Sequence, residues 1–152
     1  MNRPAALLIW GVCAAVACAP PDVDTDEAAA IQVAAAAEVV GDIARNPGPV
    51  VAVCVVYAGD WDDGGLPPAP SDSIGVSYMD GCEEVGGRLV ARQGGGQAIS
   101  VSVGPPELTS GSTATVDVHT STGSVDVEAY ACTLRGGQTT WRADACKLQA
   151  TS

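Results

Sequence analysis

The chain has no phenylalanine, 4% aromatic residues, a single histidine, and 7 basic side chains against 18 acidic ones over 152 residues. Each scarcity excludes something. Without large rings the core must be assembled from valine, alanine and isoleucine, which bury less area each, so the core is thin. The net charge of −11 repels a phosphate backbone and argues against nucleic-acid binding. It also gives no help on anionic lipid headgroups, which are recognised by clustered lysine and arginine. With His119 the only histidine, a serine or cysteine nucleophile has one possible imidazole base. No Gly-x-Ser-x-Gly elbow accompanies it.

Metal and cofactor signals are equally sparse. No two cysteines have Cys-x-x-Cys spacing, which argues against a structural zinc site. The loop "GDWDDGG" at 59–65 sets Asp60, Asp62 and Asp63 around Trp61 and invites a calcium reading. An EF-hand loop needs a glutamate at its twelfth position, where Ser71 stands. "DVDTDE" at 22–27 fails likewise, with Glu27 in the place of the turn glycine. "RQGGGQ" at 92–97 lacks the lysine and hydroxyl of a phosphate loop and reads as a hairpin turn. The expectation is no metal and no cofactor.

No apolar run reaches the roughly 20 residues that span a bilayer. What is present is a short one: Arg3 precedes an uncharged stretch at 5–17 that ends in small residues. That pattern describes a secretory signal. Cleavage after Ala19 would leave Pro20 just beyond the cut, a poor site because proline fixes its backbone. Ala15-Val16-Ala17-Cys18 instead resembles the lipobox of bacterial lipoproteins, departing from the usual pattern at Ala15, where leucine is commoner. Cys13 fails the same test because branched Val12 precedes it. The resemblance implies that Cys18 becomes the mature first residue and carries a diacylglyceryl group and an acyl chain, two or more chains being needed for stable anchoring. Ala19 beside it resembles the pattern sorted to a Gram-negative outer membrane. The boundaries expected are a signal at 1–17, a proline and acid tether at 18–23, and one domain at 24–152.

Beyond Cys18, the remaining Cys54, Cys82, Cys132 and Cys146 are an even set in an exported small domain and read as two disulfides. A hairpin turning at 135–138 around Gly136-Gly137 would put Cys132 opposite Trp141 and Cys146 opposite Val127. On that register Cys132 and Cys146 are too far apart to bridge. Cys54 then pairs with Cys146 and Cys82 with Cys132, or Cys54 with Cys132 and Cys82 with Cys146. The first arrangement is preferred.

Residues 24–45 read as one helix, with Asp24 as N-cap, Glu27 three residues on, Arg45 in the last turn, and Asn46-Pro47 as the stop. Ile31, Ala35, Val39 and Ile43 share a face, and Gln32, Glu38, Asp42 and Arg45 mostly lie away from it. The run at 50–58 is apolar on both faces, the pattern of a covered strand. Further strand signals fall at 88–92, 98–103, 113–119, 124–134 and 139–149. The fold class expected is α+β: one N-terminal helix packed on a curled antiparallel sheet of about five to six strands. That element order is similar to cystatin-like and nuclear-transport-factor-like rolls. No inhibitory Gln-x-Val-x-Gly loop is present, so the order carries no inhibitor reading.

In the strand at 124–134, Val125 and Val127 are apolar on one face and Tyr130 to Leu134 on the other, which requires a bulge or a cover on each face in turn. Setting Val116 and Val118 against Val125 and Val127 buries valines together, while a one-residue slip opposes valine to aspartate. A tight turn at Thr122-Gly123 then places His119 opposite Asp126 and Asp117 opposite Glu128, three carboxylates around one imidazole. These four are the candidate polar-face ligands, beside the simpler reading of a solvated face. The functional expectation is a lipid-anchored cell-envelope binding or structural module, its membrane partner reached through the N-terminal lipid. The alternative is a small hydrolase or isomerase using carboxylates in the concavity of a roll, which rests on fold analogy.

Overall fold

The computed structural model describes residues 23–59, 65–124, 126–137 and 140–152. In chain order these form α1 (Thr25–Arg45), β1 (Val50–Tyr57), β2 (Gly75–Tyr78), a 3-10 turn (Met79–Gly81), β3 (Cys82–Val85), β4 (Arg88–Ala91), β5 (Gln97–Val103), β6 (Glu107–Ser110), β7 (Thr113–Ser121), β8 (Val127–Gly137) and β9 (Thr140–Thr151). The signal region, Cys18 and the aspartates around Trp61 lie outside the described residues.

The helix starts and stops where its end signals put it. Asp24 is the N-cap residue, Asp26 and Glu27 sit at the positive end of the helix dipole, and Arg45 sits at the negative end. Asn46 turns the chain out, its N–H donating to the Ile43 carbonyl at 3.1 Å. Ile31, Ala35 and Val39 are fully buried, as are Ala36 and Val40 beside them. Gln32 corrects the expected polar face: it is 1% exposed. An alanine-rich helix lets strands approach over a wide arc, and the Gln32 amide finds carbonyls at their ends.

All nine strands described here belong to one open sheet, whose main path runs β2-β1-β5-β7-β8-β9, with β4 also on β5, β3 on β4, and β6 on β7. It has more strands than the five to six expected, and it is mixed rather than antiparallel. β1 runs parallel to both β2 and β5, and the other pairings are antiparallel. One face carries α1 over Val53, Val55, Val101, Val116, Val118 and Leu134. On the other face Ala52, Cys54, Cys82, Leu89, Ala91 and Ala98 form a smaller core under the β3–β4 hairpin. The middle of β1, Ala52 to Val55, is therefore covered on both sides, which is what its uninterrupted apolar run implies.

The cysteines pair differently from the expectation. The bonds are Cys54–Cys82 and Cys132–Cys146, which excludes both arrangements built on Cys54 with Cys146 or Cys132. The reason is the β8–β9 register. Gly137 pairs with Thr140 and Gly136 with Trp141, so the hairpin turns two residues later than expected. A shift between Thr133 and Leu134 then brings Cys132 directly opposite Cys146, with Cα atoms 4.0 Å apart. Gly136 is not a turn residue. A side chain there would run into the Thr140 carbonyl and the Trp141 Cα across the ladder, so glycine serves close strand approach.

Candidate functional site

The four candidate polar-face residues do not assemble. In the β7–β8 register Val118 lies opposite Tyr130 and Val116 opposite Cys132, which leaves His119 facing Ala129 and Asp117 facing Ala131. The expected pairings of His119 with Asp126 and Asp117 with Glu128 are thus corrected by three residues. The larger side chains decide it: Tyr130, Cys132 and Leu134 turn toward the helix, and Val127 is left on the surface. Asp117 and His119 are exposed on the outer face. Glu128 is half-buried on the inner one, accepting from the Tyr130 hydroxyl at 2.7 Å and from Thr120 Oγ1 at 3.4 Å. Asp126 accepts from Thr122 Oγ1 at 3.2 Å, and with Glu128 it borders a cavity of about 320 Å³. Among the described residues, no three His, Cys, Asp or Glu side chains converge as a metal site.

A different surface has the features of a binding site. β2 follows β1 only as far as Val55, opposite Tyr78, whereas β1 continues to Tyr57 against Val103 of β5. Where β2 turns away into the 3-10 segment, a groove of about 380 Å³ opens, lined by Val55, Val56, Tyr57, Gly59, Tyr78, Met79 and Asp80. Val56, Tyr78 and Met79 are 41%, 38% and 38% exposed, large apolar side chains gathered in one place. Clustering of this kind marks interaction surfaces, whereas single exposed apolar residues do not. At the same end of the sheet, Gln32 Nε2 in the second turn of α1 donates to the carbonyls of Ala58 at 3.0 Å and Gly104 at 2.9 Å. The groove therefore opens at the end of the sheet where the helix begins. The sequence reading missed it because β2 is only four residues long, and only folding places it beside β1. No known family, curated protein or solved structure matches the chain significantly.

Two phenols are shifted. Burial, and secondly the neighbouring Tyr78, push the Tyr57 phenol well above its ordinary 10.0, and its hydroxyl donates to the Gly65 carbonyl at 3.2 Å. Burial, then the hydrogen bond to Glu128 and that residue's charge, push Tyr130 up to about 12. Both folded values lie above the unfolded one of about 10. Stability from the neutral phenols is therefore full below pH 10 and is lost as pH rises through the folded values, for Tyr130 between pH 10 and about 12. Ultraviolet titration should show two phenols of the native protein ionising later than those of the urea-unfolded chain. Coincident curves would mean that both rings are solvated.

Proposed function

We propose that the protein is a lipid-anchored binding module of the bacterial cell envelope, held to the outer membrane through Cys18. The exposed apolar groove beside β1 carries the binding part of this reading. Two intrachain disulfides fit export to an oxidising compartment. Among the described residues no helix is long and apolar enough to cross a membrane. From Cys18 the chain reaches Val23, where the described residues begin, in a span of no more than roughly 18 Å. The helix start and the groove end of the sheet then lie close to the bilayer.

Mass spectrometry of the N-terminal peptide should find Cys18 as the first residue, bearing a diacylglyceryl group and an acyl chain. Cys18→Ser should move the protein from the membrane to the soluble fraction. An unmodified N-terminus at Pro20 would sink the anchor.

A further inference from the structure

We propose that the groove beside the end of β1 takes an extended segment of another polypeptide, in which apolar side chains alternate with lysine or arginine. This deepens the binding-module reading and rests on it, but it does not depend on the lipid. Three observations on the groove select this occupant.

The first is backbone. Past Val55 the β2 side of β1 has no strand neighbour among the described residues, while β1 itself stays paired to β5 through Tyr57. A strand added there continues an existing ladder, and main-chain hydrogen bonds supply affinity without demanding a particular side chain. The second is the side-chain pattern. Val56, Tyr78 and Met79 flank this position and are exposed. Val56 shares the Cys54 face of β1, and Tyr78, opposite Val55, shares the helix face with Tyr57, so the alternating side chains of an added strand would meet Val56 on one side and the two tyrosines on the other.

The third is charge. Asp80 lies in the groove, is exposed, and makes no ion pair among the described residues. The acids of the helix start, Asp24, Asp26 and Glu27, stand at the same end of the sheet, because Gln32 in the second turn reaches the residue before Gly59. The whole chain carries −11. An acidic segment is repelled, and a neutral one gains nothing from Asp80. A lysine or arginine head gains the carboxylate and the aromatic rings of Tyr57 and Tyr78, which suit a cation.

The test uses the purified exported protein with both disulfides formed. The probe is acetyl-Val-Lys-Val-Lys-Val-amide, titrated by NMR chemical shift, with the glutamate counterpart in parallel. Saturable binding of the lysine peptide is expected, with shifts centred on Val56, Tyr78 and Met79, and none of the glutamate peptide. Asp80→Asn should weaken it up to about fivefold, the worth of one exposed ion pair. Val56→Lys should abolish it, while Val85→Lys on the β3–β4 hairpin, at a still more exposed valine, should leave it unchanged.

Equal binding of both peptides, an unaltered affinity in Val56→Lys, or no binding at millimolar peptide would overturn the proposal. So would a concentration-dependent dimer that Val56→Lys dissolves, which makes a second copy the occupant. Vesicle binding by the Cys18→Ser protein that Val56→Lys removes makes it lipid, and overturns the proposal too. A failed peptide titration on lipidated protein overturns this proposal alone, and peptide binding by protein with an unmodified Cys18 overturns the anchor alone.

Discussion

Removal of the Cys54–Cys82 bond by paired alanine substitution is expected to destabilise the protein by about 3.5 kcal/mol, and removal of Cys132–Cys146 by about 3 kcal/mol. Both figures follow from the chain entropy that each cross-link removes from the unfolded state, at sequence separations of 28 and 14 residues. A total stability of about 5–15 kcal/mol makes either loss large, and the melting temperature should fall by roughly 10 °C. The inner bond adds a packing loss. Cys54 and Cys82 are fully buried in the small core, and the Cys54 sulfur lies 3.2 Å from Ser77 Oγ.

The two bonds should also open in a set order. Thiol exchange needs access to a sulfur. Cys146 is half-exposed on β9, whereas both sulfurs of the other bond are covered. A dithiol added to folded protein should therefore reduce Cys132–Cys146 first. Thermal unfolding of the two double variants and peptide mapping of partly reduced protein check these outcomes. A peptide joining Cys54 to Cys146 would refute the strand register from which they follow.

Where sequence and fold agree, the cause is local. The ends of α1 are written in Asp24, Asp26, Glu27, Arg45 and Asn46, all acting within one turn of the helix terminus. β1 is legible because an unbroken apolar run fits between two covers, as Ala52 to Val55 do here. Neighbour order is different. That β1 runs parallel to β5 and β2 depends on which edges meet in space, and no periodicity carries that. β2, β3 and β6 have four residues each, too few for an alternation to show.

The misplaced site has a more particular origin. Glycine usually marks a turn, yet here Gly136 makes room for a crossing carbonyl. A turn centred two residues earlier, at Gly136-Gly137, parts Cys132 from Cys146. On β7–β8, matching valine to valine treats all apolar residues alike. Tyr130 and Leu134 bury more area than Val125 and Val127 could, and they set the register that parts His119 from Asp126. The groove has no counterpart in the sequence at all, because it is made by the point at which β2 stops following β1.

Gln32→Glu is expected to destabilise the protein by more than 3 kcal/mol at neutral pH, although it changes one NH₂ group to oxygen. The wild-type amide joins α1 to the ends of the two parallel strands, donating to the Ala58 and Gly104 carbonyls from a side chain that is 1% exposed. Its Oε1 is buried without a hydrogen-bond partner, so the donor end holds the contact. A carboxylate has no donor and would face two carbonyl oxygens. Burial and those dipoles must raise the introduced carboxyl's folded pKa above its unfolded value of about 4.3. Stability of the variant is then highest below that value and falls as pH rises, by about 1.4 kcal/mol per unit, until the folded pKa is reached. Near pH 3 the protonated acid can still donate to one carbonyl and recovers most of the wild-type stability. Gln32→Ala, which cannot titrate, should cost about 3 kcal/mol with no such slope, from lost hydrogen bonds and a cavity. Urea unfolding of the three proteins across this pH range separates the two effects. A pH-independent cost for Gln32→Glu, or one below 1 kcal/mol at neutral pH, would mean that water reaches the end of β1 and that Gln32 does not hold the helix to it.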